Sequence, residues 1–258
     1  MTNAIEIKDL EFSYTASDGS KVLALTNIEL SIEKGEFISI LGPSGCGKST
    51  LLYLMGGFIP YETGTILSHG RQVKGPGPDR GIVFQQFALF PWRTVLRNVT
   101  YGLEKQGMGK AERIERARKL ISDVGLEGFE NSYPSQLSGG MRQRAAIART
   151  LAVDLDILLM DEPFGALDAQ TRGVMQEQLL RIWEATGKTV IFVTHDVREA
   201  VYLSQRVLMM SKRPGTIKEI VRTGFDKTGD IEADEQFNRT VSHVWNQVRS
   251  EYAAMGAK

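Results

Sequence analysis

Apolar and polar residues alternate from Ile5 to Tyr14 and again from Val22 to Ile32, the pattern of half-buried strands. Asp18-Gly19 marks a turn between them and Lys34-Gly35 a second, so the chain opens as a hairpin. Solid apolar runs then replace the alternation, at Glu36–Leu41, Gly81–Phe84, Asp156–Met160, Thr189–Val193 and Arg206–Met210. Short runs of this kind are strands covered on both faces. Helical spacing lies between them: Lys48–Met55 closed by Gly56-Gly57, then 167–186, then Asp196–Leu203. Residues 94–152 read as helices throughout, with Thr94–Gly102, Lys110–Val124 and Gly140–Ala152 as the pieces. This order predicts a parallel α/β sheet with a separate helical lobe. In the tail, Phe237, Val241, Trp245, Val248 and Tyr252 recur three or four residues apart, which predicts an amphipathic helix over 232–255.

Composition narrows the function class. The 258 residues suffice for one large domain with an inserted lobe. Lys and Arg (31) balance Asp and Glu (31), which argues against a dedicated nucleic-acid binder. A single cysteine excludes an internal disulfide and fits a reducing compartment. The N-terminus lacks a basic region followed by an apolar core, so no signal peptide is expected. The longest uncharged stretches, such as Ser49–Tyr61, fall short of the roughly 20 apolar residues that span a bilayer. A membrane role would therefore need a membrane partner.

Five segments carry chemistry. Gly42-Pro43-Ser44-Gly45-Cys46-Gly47-Lys48-Ser49 is a complete P-loop between a predicted strand and a predicted helix. Its backbone N–H groups suit phosphates, Lys48 suits the β- and γ-phosphates, and the Ser49 hydroxyl suits Mg²⁺, with Thr50 near the α-phosphate. Cys46 is a small residue at a free position of that loop. Ile157–Met160 is a strand ending in Asp161-Glu162; beside a P-loop, Asp161 is predicted to hold Mg²⁺ and Glu162 to polarise the attacking water. His195, after the 189–193 strand, is predicted to contact the γ-phosphate. Gln85, after the 81–84 strand, suits a metal-bound water or a γ-phosphate oxygen, with Gln86 beside it. Finally, Leu137-Ser138-Gly139-Gly140-Met141 opens a helix with a turn that suits a second anion. Tyr14 either stacks on adenine or packs on the core, and Asp168 caps the helix that follows Gly165-Ala166-Leu167.

Taken in order, the P-loop, Gln85, 137–144, 157–163, 165–168 and His195 resemble the ATP-binding cassette ATPases over about residues 4–222. The resemblance implies a P-loop NTPase (RecA-like) core, about 1–86 and 153–222, with an N-terminal antiparallel β subdomain. It also implies an inserted helical subdomain, about 87–152, before the helical tail at 232–258. It further implies ATP and Mg²⁺ as cofactors and a head-to-tail homodimer, in which Ser138-Gly139-Gly140 of one copy meets the nucleotide on the P-loop of the other. Asp168 would then lie at the dimer contact, and Gln85 would take part in holding Mg²⁺ through water. Met141 stands where many members carry Gln, and Gly165 where many carry Ser.

Two further stretches, Gly75–Gln86 with Leu89-Phe90-Pro91-Trp92-Arg93-Thr94-Val95, and Ser211-Lys212-Arg213-Pro214-Gly215, resemble the nitrate/sulfonate/taurine importer ATPases. That narrower resemblance implies two transmembrane permease subunits, an extracytoplasmic solute-binding protein, and a peripheral place on the cytoplasmic side of a bacterial inner membrane. Phe87, Leu89, Phe90, Pro91 and Trp92 would form the surface that receives the permease, or else pack between the lobes. A soluble cassette ATPase in iron–sulfur assembly and a P-loop small-molecule kinase are the competing readings. A kinase has no need of a second phosphate loop.

Overall fold

The computed structural model, which describes residues 3–225 and 231–256, contains two sheets. The first sheet begins with the anticipated hairpin, β1 (Asn3–Thr15) and β2 (Lys21–Glu33), paired antiparallel. β3 (Phe37–Leu41) is buried at every position and leads through the P-loop into α1 (Lys48–Gly56). The chain then returns to the first sheet with β4 (Thr63–Ser68) and the two-residue β5 (Arg71–Gln72), giving the order β2-β1-β4-β5. Neither β4 nor β5 was anticipated. Thr63-Gly64-Thr65 carries no apolar face, and pairing with β1 supplies the order that the local pattern does not.

β6 (Arg80–Val83) enters the second sheet. Three helices follow, α2 (Val95–Lys105), α3 (Lys110–Asp123) and α4 (Gly139–Ala152), which pack on one another. α4 begins at Gly139, one residue earlier than predicted, because Ser138 is its cap: the Met141 N–H donates to the Ser138 hydroxyl at 3.2 Å. β7 (Ile157–Asp161), α5 (Ala169–Thr186), β8 (Thr189–Val193), α6 (Val197–Leu203) and β9 (Arg206–Met210) complete the alternation. α5 starts at Ala169, two residues inside the 167–186 span, with Asp168 as the expected cap accepting from the Thr171 N–H at 2.9 Å. An unanticipated edge strand, β10 (Ile217–Arg222), pairs antiparallel with β9. The second sheet runs β10-β9-β3-β8-β7-β6, parallel from β9 to β6.

β3 is therefore central, with β8 on one side and β9 on the other. One face of this sheet buries Ile38, Ile40, Leu159 and Ile191 against α1 and the first sheet. The opposite face buries Phe37, Leu158, Met160 and Phe192 against α2–α5. The C-terminal ends of β3, β7 and β8 open on one rim, the place where ligands meet parallel sheets.

α7 (Glu235–Gly256) forms as predicted, but its buried stripe differs. Phe237, Val244 and Val248 are buried with α6, whereas Trp245 and Tyr252 are 54% and 46% exposed. Packing follows 237, 241, 244, 248, 251, and Trp245 and Tyr252 each lie one residue, about 100°, past that line. The stripe ends on a carboxylate, Glu251, which accepts from Lys218.

Candidate nucleotide-binding site

The P-loop closes on itself. Lys48 is the first residue of α1, and its ammonium donates to the carbonyls of Gly42 at 2.9 Å and Pro43 at 3.0 Å. Gly47, the N-cap, has φ +108° and offers no side-chain cap. A Cβ there would lie 2.6 Å from Leu25 Cδ2, so only glycine fits against β2. The N–H groups that begin α1 are thus left facing the loop, ready for an anion. A cleft of about 330 Å³ opens over them, lined by Tyr14, Ala24, Ser44, Gly45, Gly47, Lys48, Ser49, Thr50, Glu162 and Arg213.

Tyr14 lies on the cleft wall rather than in the core. Its hydroxyl is 2.8 Å from the Thr50 hydroxyl, and its ring stands edge-on to Phe12 at 4.8 Å. Cys46, by contrast, faces inward: it is buried among core residues, and burial pushes its thiol pKa up. Its side chain therefore does not line the nucleotide cleft, and only its backbone belongs to the loop.

The ends of β7 and β8 supply acid and imidazole. Asp161 is 1% exposed, and its two oxygens are claimed separately: Ser49 donates to Oδ1 at 2.9 Å and Tyr53 to Oδ2 at 2.7 Å. Burial raises the Asp161 pKa, and the two hydroxyls oppose that rise. The same burial, together with the bond to Asp161, raises the pKa of Tyr53. Glu162 adopts the left-handed region at φ +46°, a cost on the order of 1 kcal/mol for a non-glycine residue. Its N–H holds it there by donating to Val193 O on β8 at 2.9 Å. The Glu162 carboxylate then meets His195 Nδ1 at 3.1 Å, on an exposed rim.

Behind His195 lies a buried carboxylate. Glu199 accepts from the Thr194 hydroxyl and, at 2.9 Å, from the Gln176 amide on α5. Burial raises its pKa. Thr194 also accepts from the Asp196 N–H at 3.1 Å, and the bond from Gln176 to Glu199 ties the segment after β8 to α5. Asp168 is exposed, and the Thr171 N–H and hydroxyl hold its carboxyl below the usual range.

Two predicted groups lie elsewhere. Gln85 is exposed beyond β6 and is not among the residues lining the cleft. Strand β6 ends two residues earlier, at Val83, and leaves Gln85 in an irregular stretch. Ser138, Gly139 and Gly140 also lie outside the cleft of their own chain, with Leu137 buried beneath them and Met141 half-buried on the helical core. Arg142 fixes their turn by donating to Leu137 O at 2.6 Å, and its guanidinium lies over the Phe87 ring at 5.2 Å.

The 87–93 loop is held by a residue that the sequence did not single out. Asn98, fully buried on α2, accepts from the Phe90 N–H at 2.8 Å and donates to the carbonyls of Phe90, Arg93 and Thr94. Phe90 packs on Tyr101 at 4.7 Å, while Trp92 is left 69% exposed beside a groove that Leu96, Arg97 and Ile114 also line. Tyr53, Glu199 and Arg213 were missed as well. Tyr53 alone carried a signal, since it stands four residues after Ser49 on one helix face.

Known proteins resemble this chain in sequence and in fold. The ABC transporter family matches residues 25–165. An uncharacterised ABC transporter ATP-binding protein of Methanocaldococcus jannaschii, MJ0412, is 59% identical over 213 residues, covering 83% of this chain and 80% of its own. The taurine import ATP-binding protein TauB of Escherichia coli K12 is 45% identical over 246 residues, 93% of this chain and 96% of its own. Among solved structures, a dimeric, post-hydrolysis form of the ATP-binding cassette MJ0796 bound to ADP and Pi superposes with a TM-score of 0.79. It is 35% identical over 86% of this chain and all of its own. With the P-loop, the Asp161-Glu162 strand end and His195 gathered on one rim, the chain belongs to the ABC transporter family as an ATP-binding cassette ATPase.

Proposed function

We propose that the chain is the ATP-hydrolysing subunit of an importer for a small anionic solute of the nitrate, sulfonate or taurine kind. In this reading two copies pair head to tail, so that Ser138-Gly139-Gly140 of each completes the other's site. The observation that carries the pairing is the separation within one chain of a formed P-loop cleft and a capped helix terminus that does not reach it. The dimeric state of the MJ0796 cassette and the name of the TauB protein support the two halves of the reading. No described helix is long and apolar enough to cross a membrane. In this reading permease subunits supply the span and the chain sits against their cytoplasmic side. The groove beside Trp92, where Leu96 and Ile114 stand among Arg93, Arg97, Lys110 and Arg113, offers a mixed apolar and basic face for a permease loop.

Each residue then has a task. Lys48 exchanges the Gly42 and Pro43 carbonyls for phosphate oxygens, and the loop N–H groups take the remainder. Ser49 and Asp161, a hydroxyl and a buried carboxylate already in contact, form a hard-oxygen pair that fits Mg²⁺, which would neutralise phosphate charge. Glu162 accepts a proton from the attacking water, with His195 beside it orienting the γ-phosphate side. Tyr14 borders the base. Gln85 reaches the site once the helical lobe moves on nucleotide binding.

Coexpression with any permease subunits found in neighbouring genes tests the importer. The chain should move to the membrane fraction in their presence, and Trp92→Asp should return it to the soluble fraction with its Mg²⁺-dependent ATPase retained. A chain that stays soluble beside a correctly inserted permease refutes the importer reading.

A further inference from the structure

The Ser211–Gly215 turn between β9 and β10 has no task in the hydrolysis chemistry, yet it is fastened on two sides. On the inner side, the Gly215 N–H donates to Ala24 O at 2.8 Å and Gly215 O accepts from the Thr26 N–H at 3.0 Å. A Cβ on Gly215 would lie 2.1 Å from Cys46 O, so the turn rests directly on the P-loop backbone. On the outer side, the Lys212 N–H donates to Glu251 Oε2 of α7 at 2.9 Å, and Glu251 Oε1 holds Lys218. Glu251 is 8% exposed, a carboxylate buried only because both of its oxygens are used.

Between these anchors stands Arg213. Its Nε donates to Leu23 O at 3.1 Å, which sets the guanidinium on the wall of the cleft that Lys48 floors. The two terminal amino groups have no partner among the described residues. Leu23 pairs with Ser13, next to Tyr14, so Arg213 stands at the Tyr14 end of the cleft and Glu162 at the other motif's end. A guanidinium is a permanent cation with donors in a fixed fork, and it suits ring nitrogens and hydroxyl oxygens in a half-open wall.

We propose that Arg213 is a nucleotide-binding residue that donates to the ribose and base end of the bound nucleotide, and that Glu251 on α7 holds its turn in position. The inference rests on the cleft being the ATP site. Because ADP and ATP share that end, Arg213 acts equally on both, and α7 becomes a handle on nucleotide affinity.

Titration calorimetry on the full chain tests it, with ADP and with a non-hydrolysable ATP analogue. Arg213→Met keeps the stem and should weaken both ligands roughly tenfold, the loss of one charge-assisted bond. Glu251→Ala should weaken both roughly threefold, while Glu251→Gln, which keeps an acceptor for Lys212, should stay nearer the unsubstituted chain. Lys48→Ala is the control for the cleft. If Lys48→Ala loses ADP and Arg213→Met binds it unchanged, the Arg213 assignment falls and the ATP site stands. If the unsubstituted chain binds neither ligand, the site reading itself has failed. A loss for the ATP analogue alone would move Arg213 to the γ-phosphate and overturn its placement. An unchanged Glu251→Ala beside a weakened Arg213→Met would refute the part assigned to α7.

Discussion

Tyr53→Phe removes one hydroxyl and leaves its ring in place against Phe84, 5.9 Å away. That hydroxyl donates at 2.7 Å to a carboxylate that is 1% exposed. A hydrogen bond to a charged group contributes about 1.5–3 kcal/mol. Tyr53 is itself half-buried and Ser49 still serves Oδ1, so the low end, about 1.5 kcal/mol, is the expected loss. For a chain of this size that lowers Tm by about 3–6 °C. The sign with pH is fixed by which form of Asp161 the bond favours. Tyr53 stabilises the ionised carboxylate and so opposes the rise that burial imposes. The penalty of Tyr53→Phe is therefore full at neutral pH and shrinks as pH falls and Asp161 takes up its proton. Thermal unfolding without nucleotide, followed by circular dichroism near pH 7.5 and near pH 4, measures both. An unchanged Tm at neutral pH, or a drop of equal size at both pH values, would refute the reasoning.

Other substitutions probe the remaining groups. Glu162→Gln keeps the contact with His195 but removes the proposed base; turnover should fall at least a hundredfold while ATP binding persists and a dimer accumulates on size exclusion. Wild-type turnover would remove Glu162 from the chemistry. Ser138→Arg should leave ADP affinity at Lys48 unchanged and abolish hydrolysis, and normal hydrolysis would end the head-to-tail reading. Burial raises the Glu199 pKa, so its charge disfavours the fold once pH rises through that value. Glu199→Gln should consequently gain stability relative to the unsubstituted chain at alkaline pH and lose the advantage in acid, as urea midpoints would report.

The alternation of β1 and β2, the apolar runs of β3 and β6–β9 and the motifs at their ends were legible because each is a local pattern with a local cause. A strand buried on both faces must be apolar throughout, and a loop that presents N–H groups to phosphate needs glycine at φ +108°. β4 and β10 were not legible, since both are half-exposed strands that depend on pairing across the chain. The start of α4 was placed one residue late, at Gly140, and the span 167–186 began two residues before α5, although Asp168 itself was read as the cap. The tail stripe failed for a related reason: aromatic residues at helical spacing were given the core, but the packed line runs one residue earlier and ends on Glu251. At the site, Tyr53, Glu199 and Arg213 reach the cleft or its surroundings from positions 5, 4 and 165 residues away from Lys48, His195 and Lys48 respectively, and only the first separation lies within one element.

The ammonium of Lys48 is bonded to two carbonyls of its own loop, those of Gly42 and Pro43. The side chain that suits phosphate thus also closes the turn that would receive it. Any phosphate on the loop competes with two carbonyls for one cation, so its affinity is a difference between two sets of bonds.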